Sequence, residues 1–147
     1  MFENERQRYT QNHSVYLTQR ISKNISGFSI ANIDLYSSHF SKLNRIDKLN
    51  DLKDGLPKFE KWYYGPQNYF LSKLSLLNYR SYILSDKFQI TTAYQKLNES
   101  RHKKKFTDNF QSNRYEDLDV IDSKMDFKKN LIKSTLNYGV SNSCLLY

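Results

Sequence analysis

Gly65-Pro66, then Tyr69-Phe70-Leu71-Ser72-Lys73, then Leu74 through Arg80-Ser81, and finally Phe88-Gln89-Ile90-Thr91-Thr92: the reading of the fold turns on this stretch. Proline fixes its own φ and biases the residue before it towards an extended shape, so Gly65-Pro66 marks a turn or a strand edge. β-favouring residues lie on both sides, with Trp62, Tyr63 and Tyr64 before it and Phe88, Ile90, Thr91 and Thr92 after it. These arms bracket Lys73, Arg80 and Lys87 among Tyr69, Phe70, Tyr79 and Tyr82. The pattern predicts a long hairpin, its tip at about residues 65–87, that carries cations and aromatic rings away from a domain. Cations that meet phosphate and rings that stack on unpaired bases suit such a hairpin to folded RNA.

Upstream, Ala31, Ile33 and Leu35 alternate with Asn32 and Asp34, which predicts a half-buried strand from Gly27 to Leu35. Ser37 and Ser38 can cap a helix in which Phe40, Leu43, Ile46, Leu49 and Leu52 form the inner stripe, with Gly55 and Pro57 ending it. His39 falls near that helix start as a surface or capping residue. A second strand runs from Lys58 to Tyr64 into the hairpin. Downstream, a third strand runs from Phe88 towards Leu97 and its end resumes at Leu118-Asp119-Val120-Ile121-Asp122. Between them, about 98–117, the chain is polar and reads as an insertion. Ser123 caps a second helix with Phe127, Leu131 and Leu136 inside and Lys128, Lys129 and Lys133 outside. Asn137-Tyr138-Gly139 breaks it, and Val140 to Tyr147 makes a last strand.

These residues carry a family resemblance. Gly65-Pro66, Leu71-Ser72-Lys73, Arg80-Ser81-Tyr82, Phe88-Gln89-Ile90-Thr91-Thr92, Leu131-Ile132-Lys133 and Gly139-Val140 follow in an order and spacing that resemble the bacterial-type small-subunit ribosomal protein ten. The resemblance covers about residues 28–97 and 118–147. It implies an α+β fold: a ferredoxin-like split βαβ sandwich with a four-stranded sheet, two helices and a long projecting hairpin. Residues 1–27 are then a basic N-terminal extension, either a solvated arm or one laid on RNA or a neighbouring protein, and 28–147 form a single domain. Ser72 and Tyr82 stand where the family has proline, and Thr91 and Ala93 where it has Arg and His, so contacts of those side chains do not carry over.

The function implied is that of a structural constituent of the small ribosomal subunit. It would bind rRNA in the subunit head beside neighbouring head proteins, with no membrane and no small-molecule substrate as partner. The expected RNA-binding residues are Lys73, Arg80, Tyr82 and Lys87 in the hairpin, and Arg101, Lys103, Lys104 and Lys105 in the polar segment, where cations interleave with aromatics. A different class, an accessory non-catalytic subunit of a mitochondrial respiratory-chain complex, is the alternative.

Composition favours a polyanionic partner or an acidic surface. The 147 residues carry 23 Lys and Arg against 15 Asp and Glu, a net charge of +8. Ala31 and Ala93 are the only alanines, while Asn, Lys, Ser, Tyr and Leu abound, a skew read as A+T-rich coding of a mitochondrial kind and hence a matrix location. Cys144 is the single cysteine, so no internal disulfide framework exists, and no Cys/His spacing suits zinc. Neither a nucleophile elbow nor a phosphate-cradling glycine loop is present, and Asp117, Asp119 and Asp122 lie close together with two on one exposed strand face, where carboxylates more often balance Lys and Arg than coordinate a metal. The chain is expected not to be an enzyme and to need no cofactor or metal.

Overall fold

The computed structural model describes residues 12–146. Ten strands and one helical turn follow in sequence. They are β1 (Ser14–Ser26), β2 (Ser29–Phe40), β3 (Leu43–Asn44), α1 (Ile46–Leu49), β4 (Leu52–Lys53), β5 (Leu56–Pro57), β6 (Phe59–Tyr64), β7 (Gln67–Asn78), β8 (Lys87–Lys105), β9 (Ser112–Asn130) and β10 (Thr135–Leu146). Eight of the strands form one antiparallel sheet. Its order is β1-β2-β7-β8, with β9 and then β10 continuing beyond β8, and with β6 and β3 also attached through β8. The small strands β4 and β5 pair separately around Asp54 and Gly55, both at positive φ, as a two-residue Asp-Gly hairpin turn requires.

The α+β expectation is therefore wrong: the chain is almost entirely strand, and there is no ferredoxin-like layer of two helices. The first expected helix is the end of β2, then β3 and a four-residue turn of helix. Phe40, Leu43, Ile46, Leu49 and Leu52 recur every three residues, but α1 buries none of its residues, and a short helix without a packed face has little to hold it. The second expected helix, from Ser123 to Leu136, is instead the end of β9, the 131–134 connection and the start of β10. In β9 Ile121, Ser123, Met125 and Phe127 alternate with Val120, Asp122, Lys124 and Asp126. A period of two, not 3.6, governs that stretch.

Other segments also take different places. Residues 14–26, expected in an extension, are β1; Arg6, Arg8 and the rest of 1–11 lie outside the described residues, as does Tyr147. Gly65-Pro66 is not a hairpin tip. It joins β6 to β7 along β8, with the Gly65 N–H donating to the Ser100 carbonyl at 2.8 Å. A Cβ at position 65 would overlap Ser100 Oγ, so close strand approach explains this glycine. Most of the expected projecting tip is instead β7, a sheet strand that pairs with β8 and is joined to it by a loop at 79–86. Residues 98–117 are the end of β8, a connection, and the start of β9.

Contacts divide the chain into two units. One comprises Leu17–Ser37, Phe70–Lys96 and Leu118–Tyr147; the other comprises Met1–Tyr16, Ser38–Tyr69 and Leu97–Asp117. In neither unit is any described large side chain fully buried, and Phe59 and Ala93 are the only buried hydrophobic residues described. Ile33, expected beneath a layer of helices, is 40% exposed.

Candidate functional site: a two-faced sheet and a basic, aromatic strand pair

Strand alternation sorts the first unit into two unlike faces. The hydrogen bonds Arg20–Asp34 and Ser22–Asn32, the Lys73–Asp34 ion pair at 3.1 Å and the Gln95 to Asp122 bond at 2.8 Å fix one face. Ser143 donates to Asp122 on the same side, so polar side chains link β1 to β2 and β7, and β8 to β9 and β10. A groove of about 420 Å³ on this unit is lined by Lys87, Gln89, Asp126, Phe127, Lys128, Asn137 and Tyr138.

The opposite face is mainly apolar, broken by the Thr92 and Ser123 hydroxyls, 3.4 Å apart, and by Asn142 opposite Ser123. Phe70 meets Tyr94 with ring centres 6.4 Å apart, Phe88 meets Phe127 at 6.3 Å, and Phe127 stacks on Tyr138 at 5.2 Å. The β9–β10 register sets Cys144 opposite Ile121 and Val140 opposite Met125 on that side. By alternation Leu17, Ile21 and Ile25 of β1, Ala31, Ile33 and Leu35 of β2, and Leu74 and Leu76 of β7 share it. Nothing among the described residues covers it: Val140 is 62% exposed and Leu74 54%. On β9 the charged residues of this face are Asp119 and Lys129, ten positions apart. Tyr94 donates to Asp119 at 2.6 Å, and Lys129 pairs with Asp86 at 2.9 Å. Lys23 is the charged residue of this face on β1, near the Gly27-Phe28 turn.

The loop 79–86 gathers three of the expected site residues. The Arg80 guanidinium lies 5.9 Å from the centre of the Tyr82 ring, and the Lys87 ammonium 5.0 Å from that of Tyr79. Tyr82 adds its ring to Phe88 at 6.3 Å, and the Tyr138 hydroxyl donates to the Leu84 carbonyl at 2.6 Å. Asp86 anchors the loop: it accepts from Ser81, from the Asn130 N–H at 2.8 Å and from Lys129. These donors, the Ser81 hydroxyl first, hold its carboxyl below the ordinary 3.8. A depressed folded pKa stabilises the loop above the ordinary value and is lost as pH falls through the folded one. Protection of the Asn130 amide from hydrogen exchange should therefore be intact above pH 3.8 and fall on further acidification. In Asp86→Asn the protection should be lower already at neutral pH and insensitive to acid. Lys73 stands apart from the loop as a residue of β7, held by Asp34.

In the second unit Arg101, Lys103, Lys104 and Lys105 are strand residues of β8, each opposite β6. Tyr64 pairs with Arg101, Trp62 with Lys103, Lys61 with Lys104 and Phe59 with Lys105. Lys104 is held by Glu60 at 2.5 Å and Arg101 by Glu99 at 3.2 Å. Alternation puts Trp62, Tyr64, Arg101 and Lys103 on one face. On the other, Tyr63 stacks on His102 at 4.6 Å, and His102 hydrogen-bonds Asn113 at 2.7 Å and Ser100 at 2.9 Å. His39 bonds Asn68 at 2.7 Å, a strand-to-strand contact and not a helix cap. Arg45 and Trp62, which sequence reasoning left out of the site, join the basic strand, as does Arg114 of the polar segment. Their signal was the basic residue at every second position, Arg101, Lys103 and Lys105. Among the described residues no group of His, Cys, Asp and Glu could hold a metal ion. Compared with protein-family profiles, curated proteins and solved structures, the chain matches none.

Proposed function

We propose that the first unit is a stretch of the wall of a membrane-embedded β-barrel, its apolar face against hydrocarbon and its polar face lining a hydrated interior that polar solutes enter or cross. One observation carries this reading: an uncovered, mainly apolar sheet face bounded by charge. Between Asp119 and Lys129 the strand rises ~33 Å at ~3.3 Å per residue, or ~23 Å along the normal at a ~45° tilt. That matches the ~25 Å apolar band of such barrels. Leu136 to Leu146 of β10 is eleven residues, within the range a tilted spanning strand needs.

Further support comes from the row Tyr82, Phe88, Phe127 and Tyr138 at the loop end, where barrels carry an aromatic girdle. Short connections also fit, with Gly27-Phe28 between β1 and β2 and residues 131–134 between β9 and β10. No helix of the described residues is long and apolar enough to cross a membrane, and strands are not subject to that criterion. In this reading the outer edges of β1 and β10 are paired by further strands, because an open edge in hydrocarbon leaves backbone groups without partners.

The ribosomal reading drew its topology from the split βαβ order, which this all-strand sheet does not have. Alkaline carbonate extraction of native membranes, with parallel sucrose-gradient sedimentation before and after ribonuclease, separates the two. Retention in the membrane pellet, indifferent to ribonuclease, is expected. Release by carbonate together with ribonuclease-sensitive migration beside small-subunit rRNA would overturn the barrel and restore the ribosomal role. Retention together with a respiratory complex would favour the accessory-subunit alternative.

A further inference from the structure

The second unit holds a cleft of about 200 Å³ lined by Trp62, Arg101, His102, Lys103, Ser112 and Arg114. Its aromatic wall is built in layers. Trp62 meets Tyr64 edge to face at 5.3 Å, and the Arg45 guanidinium lies 5.0 Å from the Trp62 ring centre while donating to the Tyr64 hydroxyl at 3.0 Å. Arg101 adds a second guanidinium, 5.5 Å from the Tyr64 ring centre. A ring fixed in this way is a preorganised stacking surface, since its rotamer is set before any ligand arrives.

Charge in the cleft is unbalanced. Arg45 is neutralised by Asp47 at 2.6 Å, Arg101 by Glu99 at 3.2 Å and Arg114 by Glu116 at 2.6 Å. Lys103 has no ion pair among the described residues, although its three neighbours do. It therefore presents an uncompensated ammonium beside an indole, with two guanidinium groups able to add forked hydrogen bonds to a carboxylate or phosphate.

We propose that this cleft binds an anionic sugar: a single pyranose ring stacked on Trp62, with its carboxylate or phosphate held by Lys103 and flanked by Arg101 and Arg114. The small volume admits one ring and its anionic group, not a run of stacked nucleotides, which favours a sugar over RNA. The flat indole favours a ring over a free inorganic anion. The inference rests on the second unit alone and stands or falls apart from the membrane reading.

Trp62 is the only tryptophan of the chain, so intrinsic fluorescence reports on the cleft directly. The experiment titrates the full chain with glucuronate and glucose 6-phosphate, beside glucose, inorganic phosphate and a single-stranded oligoribonucleotide. A saturable change with both charged sugars is expected, at least tenfold weaker in Lys103→Ala, restored in Lys103→Arg, and absent with glucose at the same concentrations. Lys103 is an exposed strand residue, and the circular dichroism of each variant shows that the sheet is intact. Vesicles bearing a glucuronosyl lipid distinguish a membrane-borne source, which they would bind more tightly than free glucuronate, from a soluble one. No saturable change, equal binding by Lys103→Ala, or a response only to the oligoribonucleotide or inorganic phosphate would overturn the proposal.

Discussion

Val140→Arg should lower the unfolding free energy of the protein in lipid vesicles by about 2–4 kcal/mol, the cost of a cation near the middle of the bilayer on a lipid-facing strand. Val140 is 62% exposed, lies opposite Met125, and belongs to the uncovered apolar face. Its neighbour Ser141 points the other way, opposite Lys124. Ser141→Arg should leave stability within about 0.5 kcal/mol, because an exposed polar position has little to lose. Urea titration of both variants in vesicles, followed by circular dichroism, reads the difference. Similar effects at the two positions would mean that the faces do not meet different solvents. A water-soluble sheet would tolerate both.

Gly139→Ala should be the second large effect, costing about 1–3 kcal/mol by overpacking. Gly139 pairs with Asp126, and a Cβ there would overlap the Met125 carbonyl oxygen and press on Asp126. Because the obstructing atom is backbone, no rotamer change relieves it, so β10 must shift from β9. Gly139→Val should cost little more than Gly139→Ala, since the first carbon already makes the clash. Hydrogen exchange of the β10 amides should rise in both variants. Unchanged protection would show that the strands accommodate a side chain at this point.

Sequence pattern revealed the strands better than it revealed what lies against them. The alternation of Ala31, Ile33 and Leu35 with Asn32 and Asp34 gave a strand, and Trp62–Tyr64 and Phe88–Thr92 gave the arms that became β6 and β8. The helices failed for two different reasons. Around Phe40 to Leu52 a threefold spacing of apolar residues fell on a series of short strands and turns. Around Phe127 the spacing to Leu131 and Leu136 drew attention away from Ile121 and Met125, which share a strand face with it. An apolar strand face is equally consistent with cover by helices, by a second sheet or by lipid, and the family resemblance supplied helices that are not there.

The candidate site was legible only in part. Arg80, Tyr82 and Lys87 do meet around one loop, yet Lys73 is spent on Asp34, and Lys104 on Glu60. A dense basic run reads as a solvated loop or an RNA contact when its partners are unseen. Folded as β8, it sends Arg101 and Lys103 to the side of Trp62 and His102 to the other. Strand pairing over more than 35 residues, from Trp62 to Lys103, is the information that local composition lacks.

In the proposed barrel wall adjacent residues of one strand face lipid and water in turn, and β10 offers a direct test. Cys144, the only cysteine, lies on the apolar face opposite Ile121, and Ser143 lies on the polar face bonded to Asp122. A small fluorophore is attached at Cys144 in the native sequence and, separately, at position 143 in Ser143→Cys combined with Cys144→Ser. Both proteins are placed in phosphatidylcholine vesicles. The label at 144 should be quenched by doxyl groups on the lipid chains and shielded from aqueous iodide, and the label at 143 should show the reverse. Equal quenching of both positions by iodide, with none by the lipid probe, would contradict the barrel wall.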